Sequence, residues 1–392
     1  MDILQAASRL MAPECIRVLI VMPQANLGGG AELMLLNFLH GIRVVRPGWR
    51  CSVVFLRPGA FVNVLRNSGF AVASVLDVRL RRPVSLARAI IRLSREIKAQ
   101  RADIVFSWVA YAHLLGGLAS LMQGVPAVWY QIGSASGVID RVATLIPARS
   151  VLCVSHFIAG RQTQMWPHRP VTVVWPGIDL IAFSAAGQES RSGLRARLGL
   201  PVDGHLAVMV GRLQRWKGMH TAIAAMPAVV RTFPETRLVI VGGAHESERD
   251  YGDELLDLIR RFELSDHVVM AGLQQNIAEW MGAADVVLHA SREEPFGIVA
   301  VEAMACGRPV ITGKDGGVSE AVRDGIEGSH VPFGNHRCLA ETMIGLFQDG
   351  GKAARMGAAG IARARLFSIR RYAEEICCSL EQDVEMLRKN VG

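Results

Sequence analysis

The sequence has no Asp-x-Asp pair, no Cys-x2-Cys pair, no internal repeat and no unbroken apolar run of bilayer length. Each absence excludes something. Seven cysteines, at positions 15, 51, 153, 306, 338, 377 and 378, are scattered, without the paired spacing of a zinc site. An odd, dispersed set suits a reducing compartment, where a buried cysteine such as Cys306 behaves as a small hydrophobe. The longest apolar region, 109–130, is interrupted by His113, Gly116, Gly117, Gln123, Gly124 and Pro126, so it falls short of a spanning helix. Aromatic residues are only 6% of the chain and do not interleave with basic ones, which argues against a nucleic-acid module. Residues 1–10 lack the charged-then-apolar order of an export signal, so a cytoplasmic location is expected.

What is present points to a globular protein of two domains. The chain has 392 residues, 51% hydrophobic and 20% charged, enough for two separate cores. Its net charge of +8 is unevenly placed: residues 1–185 hold 19 Arg and Lys against 8 Asp and Glu. The basic half implies an anionic partner, either a membrane surface or an anionic acceptor. Arg79, Arg81, Arg82, Arg88, Arg92, Arg95, Lys98 and Arg101 gather around a helix expected over 85–99 and capped by Ser85. They form either a solvated face or a membrane-facing one.

Short apolar runs alternate with helical patterns along the whole chain. Strands are expected at 17–22, 51–56, 70–75, 104–106, 127–130, 151–154 and 171–174, then at 206–210, 238–241, 268–270, 286–288 and 310–311. That rhythm is an α/β fold built on parallel sheets. Residues 184–197 break the composition and are the expected linker. Gly28, Gly29 and Gly30 follow the first strand and precede a helix, a phosphate-cradling order, although Leu33 stands where a dinucleotide fingerprint would have its third glycine. A long amphipathic helix is expected over 369–387.

The richest stretch is 285–302. An apolar strand leads into Ser291, Arg292, Glu293, Glu294, Pro295 and Gly297, then into a helical pattern carrying Glu302. With Pro295 just inside the helix start, Glu302 would lie about two turns in, with the carboxylates ~12 Å apart at ~1.5 Å per residue. A hydrolase pair wants roughly 5–9.5 Å, so this spacing suits gripping two ends of one ligand around an anion-binding helix tip. Arg212 and Lys217, bracketed by Gly211 and Gly218, are fixed cations in a loop after another strand.

Glu294-Pro-Phe-Gly with Glu302 eight residues on, Gly211-Arg-Leu-Gln-Arg-Trp-Lys-Gly218, Gly316-Gly-Val-Ser-Glu320 and Gly28-Gly-Gly-Ala-Glu32 resemble, in order, the motifs of retaining GT-B glycosyltransferases of family four. The resemblance implies two Rossmann-like domains facing each other across a cleft. Residues 1–185 would bind the acceptor, 186–367 the nucleotide sugar, and 368–392 would return to the first domain. It implies transfer of a hexose from a UDP- or GDP-sugar to a hydroxyl of a lipid-linked or polysaccharide acceptor, with no nucleic-acid partner. Without Asp-x-Asp, Arg212 and Lys217 would replace a metal at the diphosphate. Glu302 would hold the ribose and Glu294 the donor sugar, while Gly28, Gly29, Gly30, Gly297, Ile298, Gly316 and Gly317 would meet phosphate or sugar oxygens. Similar enzymes often carry a histidine near 131–132, where this chain has Gln131 and Ile132. His113 is the nearest replacement, to be weighed against a packed core histidine. The alternatives are a GT-B nucleotide-sugar isomerase and a non-catalytic nucleotide-sugar-binding scaffold. Such a protein would work in the cytoplasm, with peripheral attachment to the inner membrane face as a further option.

Overall fold

A computed structural model describes residues 15–26, 29–79, 82–245 and 247–391, with side chains to 386. Residues 1–14, including the irregular start read from the sequence, lie outside this set, as do Gly28 and Arg81. The chain divides into two compact units: unit 1 is Met1–Gly177 with Ile369–Gly392, and unit 2 is Ile178–Ser368.

Unit 1 alternates β1 (Arg17–Met22), α1 (Gly30–Val45), β2 (Arg50–Phe55), α2 (Phe61–Asn67), β3 (Ala71–Val75), α3 (Pro83–Ala99), β4 (Ile104–Trp108), α4 (Val109–Gln123), β5 (Ala127–Gln131), α5 (Val138–Leu145), β6 (Val151–Cys153), α6 (His156–Gln162) and β7 (Val171–Val173). The strands form one parallel sheet in the order β3-β2-β1-β4-β5-β6-β7. Its central strands are buried on both faces, which is why they read as unbroken apolar runs. Leu19, Val21, Val54, Leu93, Val105 and Leu115 share one core.

Unit 2 opens with α7 (Leu180–Gln188) and α8 (Arg191–Arg197), then runs through β8 (Leu206–Val210), α9 (Met219–Thr232), β9 (Arg237–Val241), α10 (Tyr251–Arg261), β10 (Val268–Gly272), α11 (Ile277–Ala283), β11 (Val286–His289), α12 (Ile298–Ala305), β12 (Val310–Gly313), α13 (Val318–Ala321), β13 (Gly328–Val331), α14 (His336–Gln348) and α15 (Gly350–Ala364). Its parallel sheet runs β10-β9-β8-β11-β12-β13, and Met209, Ile223, Met226, Leu255, Leu288 and Met343 fill its core. Both sheets thus follow the doubly wound order that grows outward from the first strand and then reverses. The closing helix α16 (Ile369–Val391) lies against α1 in unit 1, where a Cβ on Gly41 would stand 2.5 Å from that of Ala373, and Arg46 pairs with Glu381 at 2.6 Å.

Three local expectations change. Residues 184–197 are not an open linker. Ser190 caps α8 through the Gly193 amide, and Arg195, 4% exposed, bonds the Ala283, Val202 and Gly204 carbonyls and Asp285 at 2.7 Å. Helix α3 begins at Pro83, and Ser85 Oγ accepts from the Arg79 amide instead of capping the helix. Strand β13 escaped the sequence reading because Gly328-Ser-His-Val331 has no apolar run; it is held by parallel pairing to β12.

Candidate active site

Open parallel sheets present ligand-binding loops beyond the carboxyl ends of their strands, where the strand order reverses. In unit 2 that point falls between β8 and β11, so loops 211–218 and 290–297 emerge side by side. Two glycines in left-handed conformation let them close up. A Cβ on Gly218 (φ 81°) would stand 2.4 Å from the Ala290 carbonyl oxygen, and one on Gly297 (φ 88°) would meet Val318 at 2.8 Å.

This approach brings Lys217 to Glu294. Lys217 Nζ donates to Glu294 Oε2 at 2.7 Å, with the two side chains 12% and 11% exposed. His289, the buried last residue of β11, places Nε2 3.2 Å from the same oxygen. Glu294 Oε1 receives no hydrogen bond from any described residue. Burial opposes ionisation of Glu294, but Lys217 and His289 outweigh it and hold the carboxyl well below the usual carboxylate range. The turn that carries Lys217 is itself anchored. The Arg215 amide bonds Glu248 at 2.8 Å, its guanidinium reaches Asp250 at 3.0 Å and also Glu254, and Lys217 Nζ lies 4.1 Å from the Trp216 ring centre.

Pro295 does not open the helix. Gly297 turns the chain, α12 starts at Ile298, and Glu302 is therefore its fifth residue, nearer the helix tip than the sequence suggested. No side chain caps that tip, an arrangement that in general favours anions. Glu302 is 5% exposed, has no hydrogen-bond or ion-pair partner among the described residues, and burial pushes its pKa up to about 7. The Gly316–Gly317 loop is committed to the backbone. The Gly317 amide donates to the Glu294 carbonyl at 2.7 Å, and a Cβ on Gly316 (φ 108°) would stand 2.5 Å from that carbonyl oxygen. These glycines hold Glu294 in place, a role their sequence does not announce. Arg212 is exposed and makes no hydrogen bond or ion pair with a described residue.

Lys217, Glu294, Glu302, Gly297, Ile298, Gly316, Gly317 and Arg212 all belong to unit 2; the other candidates belong to unit 1. There Gly29 precedes α1 and Gly30 begins it, and the Glu32 carboxylate lies against Gly29: a Cβ on Gly29 would stand 1.9 Å from Glu32 Oε2, while one on Gly30 would meet nothing within 4 Å. A side-chain carboxylate thus lies beside Gly29 without capping the helix. His113 is fully buried, its ring centre 4.9 Å from that of Trp129 and tilted by 40°, with Nε2 3.4 Å from the Ile146 carbonyl. Burial lowers its pKa to about 4, so it is a neutral packed side chain with no exposed surface. Gln131, beside Ile132 in the stretch where similar enzymes often carry a histidine, is tied to Trp129 Nε1 at 3.0 Å and Asp140 at 2.8 Å. His289 and Trp216 were missed in the sequence reading, although a histidine ending the run Val286-Val-Leu-His289 was a visible signal.

Known proteins resemble the chain at the levels of sequence and fold. The family of group 1 glycosyl transferases matches residues 190–363. A D-inositol 3-phosphate glycosyltransferase of Kineococcus radiotolerans is 36% identical over 211 residues, 50% of this chain and 48% of that protein. The chain therefore spans about half the length of that relative. One of the same description from Nocardioides sp. is 30% identical over 312 residues, covering 72% of this chain and 68% of that protein. Among solved structures, Anabaena HepE in complex with UDP-glucose superposes with a TM-score of 0.82 at 27% identity, covering 93% of this chain and 99% of that one. A glycosyltransferase of Rickettsia africae shares the fold at 18% identity, with a TM-score of 0.82 over 95% and 99% of the two chains. Doubly wound sheets in both units, a lysine and two glutamates about an uncapped helix tip, and a relative matched over two thirds of its length lead to one assignment: the chain belongs to the group 1 glycosyl transferases, with the GT-B fold.

Proposed function

We propose that this protein is a retaining glycosyltransferase that moves a hexose, glucose first among the candidates, from a UDP-sugar to a hydroxyl of a glycan or lipid-linked acceptor. The observation that carries the reading is the buried Lys217–Glu294 pair beside the uncapped start of α12. In this assignment the diphosphate sits on the α12 amides and draws Lys217 and Arg212, which neutralise charge as the phosphate departs. Glu302 accepts from the ribose hydroxyls and Glu294 Oε1 meets the donor sugar. The leaving phosphate takes the proton of the acceptor hydroxyl, so no side-chain base is needed on that face. Because Lys217 and Arg212 carry the charge, turnover needs no divalent ion. UDP is preferred over GDP because the HepE complexes contain UDP and UDP-glucose.

Unit 1 is proposed to receive the acceptor at the cytoplasmic face of a membrane. Arg88, Arg92, Arg95 and Lys98 are exposed on α3, and Val138, Ile139, Val142 and Leu145 are exposed on α5, the mixture of basic and apolar groups that favours an anionic lipid surface. Among the described residues no helix is long and apolar enough to cross a membrane, so attachment would be peripheral. The test is radiolabelled glucose transfer from UDP-glucose to a membrane extract with EDTA present. Labelled product supports the reading; loss of all turnover on chelation removes its metal-free part, and failure to bind any UDP-sugar removes the whole.

A further inference from the structure

Buried polar atoms nearly always find a partner, and one that does not calls for a reason. His289 is 1% exposed, and its Nε2 makes no aligned hydrogen bond among the described residues, yet it stands 3.2 Å from Glu294 Oε2. The distance is right and the direction is not. Its register neighbour on β12, Thr312, also leaves its buried Oγ1 unbonded, and Gly297 leaves room above the ring, since a Cβ there would come within 3.3 Å of Nε2.

The oxygen that His289 faces is held by Lys217 at 2.7 Å. On the donor-site reading given above, on which this inference rests, a diphosphate competes for that ammonium. Charged phosphate oxygens are strong acceptors for it. Once Lys217 turns away, Glu294 remains buried, and His289 is the one other cationic or donor side chain shown beside Oε2 among the described residues. A buried carboxylate stripped of its partner is costly, which would oppose donor binding unless a second partner stood ready.

We propose that His289 is a positioning residue: as Lys217 moves to the donor diphosphate, the Glu294 carboxylate turns onto His289 Nε2–H, which keeps it partnered and aims Oε1 at the donor sugar. With Nε2 protonated, the exchange replaces one donor on Oε2 by another and moves no proton. Lys217 is thereby free to be both the site's resting neutraliser and a phosphate ligand.

A double-mutant cycle read by calorimetry with UDP tests this, using the full chain as wild type, His289→Phe, Glu294→Gln and the pair combined. His289→Phe should weaken UDP binding about tenfold, the scale of stranding a partly compensated buried charge. In the Glu294→Gln background, where there is no charge to strand, the same change should cost less than about twofold, the mark of coupled neighbours. Equal losses in both backgrounds would reduce His289 to a packing residue and overturn the proposal. If wild type binds neither UDP nor UDP-glucose, the donor assignment itself fails; UDP binding without coupling sinks only the role of His289. Should His289→Phe unfold, His289→Leu carries the same cycle. His289→Gln, which restores an N–H donor, should recover most of the lost affinity, and failure to do so counts against the proposal.

Discussion

The two units share one strand order and differ in how the chain leaves their fourth strand. In unit 1, β4 ends at Trp108 and α4 begins at Val109 with no loop between them. In unit 2 the equivalent step, from His289 to Ile298, is an eight-residue connection, 290–297, that carries Glu294. Unit 1 makes its direct turn with Val109 in a left-handed conformation (φ 64°) and ties the Trp108 indole to the Ala31 carbonyl at 3.2 Å. The start of α4 has no side-chain cap either, but the buried histidine on that helix is neutral. Unit 2 leaves a helix tip uncapped and sets a cation, a histidine and two buried carboxylates around it. The comparison teaches that topology supplies the place and loop length supplies the chemistry.

The sharpest way to break that contrast is to remove the unit 2 cation. Lys217→Ala should lower kcat by about 100- to 1000-fold, the range seen when one preorganised charge-stabilising donor is lost. Glu294→Ala should fall by a similar factor, with far-UV circular dichroism unchanged in both. A variant of either kind with turnover within about tenfold of wild type would move the chemistry elsewhere.

The buried acid of unit 2 and the buried base of unit 1 should answer to pH in opposite directions. Glu302 has a folded pKa raised to about 7 by burial. From its unfolded value near 4.5 upward, the unfolded chain ionises first, so stability is lost as pH rises to about 7 and stays lost above it. The size is of order 3 kcal/mol. Glu302→Gln should therefore raise the melting temperature at pH 8 far more than at pH 4.5. It should also abolish the proton release on UDP binding near pH 7 expected when ribose hydroxyls stabilise the ionised form. His113 has a folded pKa lowered to about 4, again by burial. Here the unfolded chain takes the proton first, so stability is lost as pH falls from about 6.5 to 4, also by of order 3 kcal/mol. His113→Leu should flatten the acid side of the melting profile and leave the alkaline side alone. An unchanged acid limb would mean that His113 is charged in the fold, and would reopen its case as a functional group.

Much of this was legible in the sequence, but unevenly. The central strands were readable because they are buried on both faces, so a run such as Leu206–Val210 carries its own signal. Lys217, Glu294 and Glu302 stood out as polar groups in apolar or glycine-bracketed settings, and the structure gathers Lys217 and Glu294 into one ion pair. What stayed hidden depends on contacts between distant segments. Gly316 and Gly317 look like a phosphate loop, and their backbone also supports Glu294, which the sequence does not show. Arg195 looks like linker charge and is buried on the Ala283 carbonyl and Asp285. Pro295 obeys the helix-start rule in sequence, yet Gly297 behind it takes the turn. Gly29 and Gly30 look like a phosphate cradle, and the sequence does not show that the Glu32 carboxylate lies against Gly29.

The finest test of the contrast is Val109. A β-branched residue in the left-handed region stores strain of order 1–3 kcal/mol, and unit 1 bears it because the chain has no spare residue between β4 and α4. Val109→Gly relieves the backbone but gives up a half-buried side chain and adds flexibility to the unfolded chain, each of which offsets part of the gain. The net expectation is a stabilisation of at most about 1 kcal/mol, measured by urea denaturation, with UDP affinity unaltered because the proposed donor groups lie in unit 2. A destabilisation beyond about 1 kcal/mol would show that the Val109 side chain holds the turn instead of suffering it. The direct β4–α4 junction would then be a built feature of unit 1 and not merely the lack of a loop.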